Sequence, residues 1–140
     1  MDISFITNIQ VLNISYCEQF TNLHQLSVSE LITDHCINLR NISLIINVRK
    51  LSIYKCIKII KMPIDNDSYD ELNIQETNVT SISPIKNINR FLCNDKIPES
   101  EILGLNGLKT IYMAYISDET KKILKSRNIN VFKCDGYIRV

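Results

Sequence analysis

The chain has 140 residues, a formal net charge of +1, and 45% hydrophobic and 22% charged residues. That length and apolar share suit one domain over residues 1–140 with a continuous core. The near-neutral balance, with no block of Lys and Arg, argues against nucleic acid as a partner, because binding phosphates needs clustered cations that release counterions.

The opening residues, Met1-Asp2-Ile3-Ser4, lack the basic and apolar regions of a secretion signal. No run approaches the roughly 18 apolar residues of a membrane span, so no membrane partner is expected. Five cysteines without a secretion signal read as reduced thiols in a cytoplasmic protein. Ile3-Ser-Phe5-Ile-Thr7 then alternates as a strand would. It is expected either to cover the first edge of a sheet or to pair with another chain.

From Ile9 onward a pattern recurs, and its cysteines set the phase. Ile9-Gln-Val-Leu12-Asn-Ile14-Ser-Tyr-Cys17 is the first copy, Val28-Ser-Glu-Leu31-Ile-Thr33-Asp-His-Cys36 the second, and Val48-Arg-Lys-Leu51-Ser-Ile53-Tyr-Lys-Cys56 the third. Apolar residues fall at positions 1, 4, 6 and 12, with Cys at 9. Looser copies follow from Tyr69 (Leu72, Ile74, Thr77), Ile88 (Phe91, Cys93, Lys96) and Leu108 (Ile111, Met113, Ile116). A last copy has Ile129 at position 4, Val131 at 6 and Cys134 at 9. Lys96 at position 9 is the sharpest departure, because a buried ammonium without a partner is costly. Its turn is expected to distort, or its side chain to reach outward.

The pattern resembles the leucine-rich-repeat family, whose consensus is L-x-x-L-x-L-x-x-N/C-x-x-L, and the resemblance spans about Ile9 to Cys134. Cys at position 9, a composition rich in Ile, Asn, Lys and Tyr, and the lack of attached domains look like the small free-standing leucine-rich-repeat proteins of insect poxviruses. A viral origin would put the protein in the host-cell cytoplasm. The resemblance implies an α/β fold: a right-handed solenoid with a parallel sheet of about seven strands on its concave side. Copies of 18 to 21 residues leave room mainly for short irregular or 3₁₀ returns. Two returns read as helices. One follows Pro98 through Glu99–Leu103 to Gly104, and one is capped by Ser117 and runs from Asp118 to Arg127. The basic side chains of the second, Lys121, Lys122, Lys125 and Arg127, read as a solvated face. At the end, Asp135-Gly136 is a hairpin signal, and Tyr137–Val140 is expected to fold back as a C-terminal cap.

Catalytic and metal readings find little support. The cysteines are spaced by the repeat rather than paired as zinc ligands are, and His35 at position 8 is expected to point away from Cys36. There is no glycine-rich phosphate loop, with Gly104, Gly107 and Gly136 the three glycines. No cofactor is expected, and no enzyme.

In a strand, positions 3, 5 and 7 face away from positions 4 and 6. Position 3 then carries Glu30, Lys50, Glu71 and Arg90 in alternating sign, which reads as a cross-strand charge ladder. Positions 5 to 8 carry Tyr16, Tyr54, Tyr112, Tyr115 and Phe132, with Phe132 assigned to position 7. Aromatics favour strands for their own sake, but tyrosines on one open face also fit a protein-binding surface. The expectation is a module that binds a partner protein through these five residues on the concave face. Tyr112, Tyr115 and Phe132 would surround the small Ala114 as an apolar pocket, with Thr110 and Asn130 as a polar rim. The alternative is a self-associating structural module that oligomerises, as a homodimer for instance, through an uncapped terminal strand.

Overall fold

A computed structural model describes the protein at Ile3 and over residues 9–134. The elements run β1 (Val11–Asn13), β2 (Glu30–Ile32), β3 (Lys50–Ser52), β4 (Ser68–Asn73), β5 (Asn87–Leu92), α1 (Glu99–Leu103), β6 (Thr110–Met113), α2 (Asp118–Ser126) and β7 (Asn130–Lys133). The protein is α/β. Its seven strands make one parallel sheet in sequence order, each beside the next, with few helices. The expected pairing of Ser4–Thr7 and the expected hairpin at Asp135-Gly136 lie outside the described residues.

Pairing aligns position 4 from strand to strand through Leu12, Leu31, Leu51, Leu72, Phe91 and Ile111. From Leu31 to Ile111 these side chains are at most 1% exposed. Opposite them the returns bury Phe20, Leu39 and Ile59 at position 12. They also bury Leu23, Ile42 and Met62 three residues later, and Leu26 and Ile45 three later again. The first two returns pair as well, through parallel bridges Asn22 to Asn41 and Leu26 to Ile45. Apolar side chains thus fill one continuous space between sheet and returns, where burial contributes about 25 cal/mol per Å2 of apolar surface.

Each strand ends in a turn that satisfies its own backbone. In the first four copies the residue at position 8 is held at positive φ: Tyr16 at 63°, His35 at 59°, Lys55 at 59° and Glu76 at 55°. None is glycine, and this left-handed region is disfavoured for residues with a Cβ. The gain is continued pairing beyond the regular strand. The position 6 amides of Ile14, Thr33, Ile53 and Ile74 each donate to the next copy at 2.9–3.0 Å, and the position 8 amides of Tyr16, His35 and Lys55 do so at 2.8–3.2 Å. Position 9 then turns inward. The Cys17, Cys36, Cys56 and Thr77 amides donate back to the position 6 carbonyl of their own copy. The Cys36 thiol donates to the Ile14 carbonyl at 3.1 Å, and the Cys56 thiol to the Thr33 carbonyl at 2.8 Å. Cysteine at position 9 therefore ties the second and third copies each to the one before it. Thr33, the polar exception at position 6, is fully buried with its hydroxyl 3.3 Å from the Ser52 carbonyl and 3.5 Å from the Cys56 sulfur.

Cys17, unlike the other four cysteines, is only partly buried. It belongs to the first copy, and the described residues offer no earlier position 6 carbonyl for its thiol. The fifth copy breaks the pattern where Lys96 stands. Lys96 is exposed, with its ammonium turned to the Thr77 carbonyl at 3.4 Å and to the Asn78 side chain. Asn94, two residues earlier, goes inward in its place and donates to the Val79 carbonyl at 2.8 Å and the Thr77 hydroxyl at 3.2 Å. A neutral amide can be buried with its hydrogen bonds made, whereas an ammonium keeps its solvent.

Both helices form where the sequence signals place them. Ser117 caps α2 by accepting from the Thr120 amide at 3.3 Å. The far end of α2 corrects the sequence register. Asn128 is at φ 62°, with Asn128 N–H donating to Lys125 and Ile129 N–H to Leu124, both at 3.0 Å. This is a Schellman closure, and it draws Ile129 into the helix end rather than the strand. Strand β7 accordingly pairs Val131, not Ile129, with Ile111, and Phe132 with Tyr112. The shift is two residues, so inward and outward faces are kept while Phe132 moves from position 7 to position 5.

Leu51→Ala is expected to lower unfolding free energy by about 2–5 kcal/mol in a urea titration, the range for deleting a buried leucine side chain. A loss near zero would place Leu51 outside the core.

Candidate functional site

The face of the sheet opposite the core is not uniformly open. Ile32 is 6% exposed, Asn73 3% and Leu92 1%, although all three sit at position 5 and point away from the main core. Asn73 is buried with its side-chain oxygen accepting from the Gln75 amide at 3.0 Å. The charge ladder at position 3 closes at one step, where the Arg90 guanidinium lies 3.1 Å from Glu71. Other cross-strand ion pairs lie at the strand starts and exits: Arg49 with Asp70 at 2.9 Å and Lys55 with Glu76 at 3.5 Å. Exposed pairs of this kind contribute at most about 1 kcal/mol each.

The five aromatic residues fall into two groups. In the first, Tyr16 is 70% exposed and stacks on His35, with centroids 4.5 Å apart and planes 12° from parallel. His35 meets the Tyr54 ring edge-on at 5.2 Å. The left-handed backbone at position 8 aligns Tyr16, His35, Lys55 and Glu76 on neighbouring exits. Tyr54, however, is only 7% exposed. Burial, followed by the neighbouring Glu76 carboxylate, pushes its phenol above the usual value. Its ring supports this row from beneath and offers little surface of its own.

The second group lies at the other end of the sheet. Tyr112 and Phe132, direct register partners, stack with centroids 5.1 Å apart and planes 21° from parallel. The Arg90 guanidinium sits 5.1 Å from the Tyr112 centroid, with Nη2 donating to the Tyr112 hydroxyl at 3.4 Å and Nη1 to Glu71 at 3.1 Å. A cation over a tyrosine face is worth roughly 0.5–1 kcal/mol at an exposed site, so Arg90 holds Tyr112 in place. Phe132 stays 48% exposed and Tyr115 73%. Between these two opens a pocket of about 210 Å3, lined also by Ala114 and Val131. Ala114 leaves the space there that the sequence anticipates. Tyr112 does not line it but backs Phe132, and Thr110 and Asn130 pair with each other rather than forming its rim. The structure instead puts Lys121 of α2 and Lys133 of β7 on the pocket wall. Sequence reasoning missed both, because the pocket brings together residues from two elements whose relative placement depends on the end of α2.

Other chemistry fits the residues less well. The Cys36 thiol is directed to a carbonyl while the His35 ring stacks against tyrosine, so the two do not form a nucleophile pair. Burial pushes the Cys56 thiol up to about 12 and the Cys36 thiol in the same direction, away from the reactive thiolate. Among the described residues no group of three His, Cys, Asp or Glu side chains is placed to hold a metal ion. No helix among them is long and apolar enough to cross a membrane. A larger pocket of about 470 Å3 lies beside the starts of β4 and β5, but its Asp70 and Asp67 are engaged by Arg49 and Lys86.

The position of α2, and with it Lys121, depends on Glu99. This first residue of α1 accepts from the Ser117 amide at 2.7 Å and from the Ser117 and Thr120 hydroxyls at 2.6 Å each. Glu101 reaches the other way, accepting from Ser81 and the Ile82 amide at 2.8 Å. Hydrogen bonds from Ser117, then from Thr120, lower the Glu99 pKa below the ordinary glutamate value. A lowered folded-state pKa adds stability that is fully present above the unfolded pKa and lost as pH falls through the folded one. Glu99→Gln is therefore expected to destabilise the protein at neutral pH by about 1 kcal/mol, solvent around this carboxylate weakening its hydrogen bonds. Urea unfolding at a series of pH values checks this: the gap between wild type and variant narrows below the ordinary glutamate range, and a constant gap would contradict the assignment.

Set against protein-family models, curated proteins and solved structures, the chain matches none.

Proposed function

We propose that this chain is a leucine-rich-repeat solenoid, with the sheet on its concave side, and that it acts by binding a partner protein through the C-terminal part of that face. The observation that carries the reading is the exposure of Tyr115 and Phe132, at 73% and 48%, beside a preformed pocket. Large aromatic side chains left in water next to a cavity, while Ile32, Leu92 and Tyr54 elsewhere on the face are buried, match the chemistry of an interaction hot spot. The strand order, the alignment of position 4 and the inward thiols at position 9 support the repeat reading. Free cysteines that are mostly buried suit a reducing compartment, and we read the protein as a cytoplasmic binding module rather than an enzyme.

The N-terminal row weighs less. Tyr16 is available, but Tyr54 is not, so of the five aromatic residues Tyr112, Tyr115 and Phe132 carry the reading. Self-association through a terminal strand has one observation behind it: Val11 on β1, an outer strand of the described sheet, is 53% exposed. Light scattering separates the two, with a tight dimer favouring self-association.

The direct test is affinity capture of partners with wild type, Tyr112→Ala and Tyr115→Ala, after circular dichroism has shown that each variant is folded. Truncating a hot-spot aromatic typically costs about 2 kcal/mol or more, roughly a thirtyfold loss in affinity. Both variants are expected to lose the partners that wild type retains. Retention of every partner by both would overturn the concave-face reading.

A further inference from the structure

The pocket beside Tyr115 and Phe132 has a size and a charge that narrow its occupant. Its volume of about 210 Å3 falls below the range of small-molecule and cofactor sites, about 300–1,000 Å3. It is several times the roughly 30 Å3 that a water molecule occupies in the liquid. It has room for one apolar side chain. Ala114, Val131 and the two aromatic rings supply apolar surface, while Lys121 and Lys133 bring two ammonium groups to the same wall. Among the described residues neither lysine forms an ion pair; the pairs there involve Arg49, Lys55, Lys86 and Arg90.

The segment that builds the pocket carries the same sign, although Glu76 and Asp95 line a neighbouring pocket across Ala114. Between Thr110 and Cys134, five cationic side chains stand against Asp118 and Glu119, although the whole chain has a net charge of only +1. Asp118 and Glu119 belong to the first turn of α2, where a carboxylate complements the helix dipole. The segment that supplies the pocket wall is thus net positive, with Tyr115 and Phe132 on it.

The geometry points to an acidic peptide segment as the occupant, one apolar side chain seated between Tyr115 and Phe132 with carboxylates on either side meeting Lys121 and Lys133. This rests on the protein-binding reading above and names the chemistry of the partner. Apolar burial would supply affinity, and the two lysines would select against basic sequences and speed association at low salt.

The probes are three capped pentapeptides, Glu-Glu-Leu-Glu-Glu, Glu-Glu-Ser-Glu-Glu and Lys-Lys-Leu-Lys-Lys, titrated into the full-length 15N-labelled protein and followed by nuclear magnetic resonance. The first is expected to shift the amide signals of Ala114, Tyr115, Phe132 and Lys133, with the other two at least about tenfold weaker. A Lys121→Glu, Lys133→Glu double variant, whose spectrum reports its folding, is expected to bind the first peptide at least about tenfold more weakly, by a margin that shrinks at high salt. No shift at these residues with the first peptide, an equal response to the basic peptide, or indifference to the double charge reversal would each overturn the proposal. The capture experiment with Tyr115→Ala judges the underlying reading separately. Capture lost in that variant while the acidic peptide is ignored leaves the binding face standing and removes the acidic partner. Capture retained removes both.

Discussion

A parallel strand must send its chain back to the start of its neighbour without stranding backbone carbonyls and amides in the core. Here the position 8 residue meets that demand in the first four copies by taking a left-handed conformation. Its amide continues the ladder to the next copy, and the reversal delivers position 9 into the core. There a thiol is small enough to fit and polar enough to donate to the position 6 carbonyl of the previous copy. A local backbone distortion, unfavourable by itself by about 1–2 kcal/mol per residue, thus sets both the stacking of strands and the linkage between neighbours.

What happens when the device fails explains the second half of the molecule. A lysine at position 9 cannot be buried, so Asn94 enters instead and Asp95, at position 8, is not held at positive φ. Beyond it the returns become helices, tied to the neighbouring copies by single carboxylates: Glu101 backward to Ser81 and Ile82, Glu99 forward to Ser117 and Thr120. The helix end at Asn128 then sets where β7 begins, which brings Phe132 onto Tyr112 and Lys133 to the pocket. The candidate site is built at the part of the sheet where the regular turn has been replaced.

Much of this was legible in the residues, and the reasons for the remainder are physical. One strand per copy, the inward leucines at position 4, both helices and the Ser117 cap follow from apolar periodicity and capping chemistry, which act locally. The buried position 15 and 18 residues were visible as Leu23, Ile42 and Met62, and as Leu26 and Ile45, at a constant offset from each cysteine, a signal that counting only the strand residues passes over. The two-residue shift in β7 was not legible, because spacing alone cannot show how many residues a helix end consumes. Tyr54 stood on the open face by alternation, yet it is buried. Burial on that face depends on how neighbouring rows close over one another, a property of the assembled sheet. The lysines of the pocket were hidden for the same reason, one having been read as part of a solvated helix face.

The account stands or falls on the left-handed turn at the strand exit. Lys55, at φ 59°, is the most accessible test, since its side chain lies outside the core cluster. Urea unfolding of Lys55→Gly and Lys55→Val compares a residue that adopts this conformation freely with a β-branched one that resists it. The account predicts that the valine variant is less stable than the glycine variant by about 1 kcal/mol or more. Equal stabilities would mean that the exit turn does not need the left-handed residue, and the linkage between copies would have to be sought elsewhere.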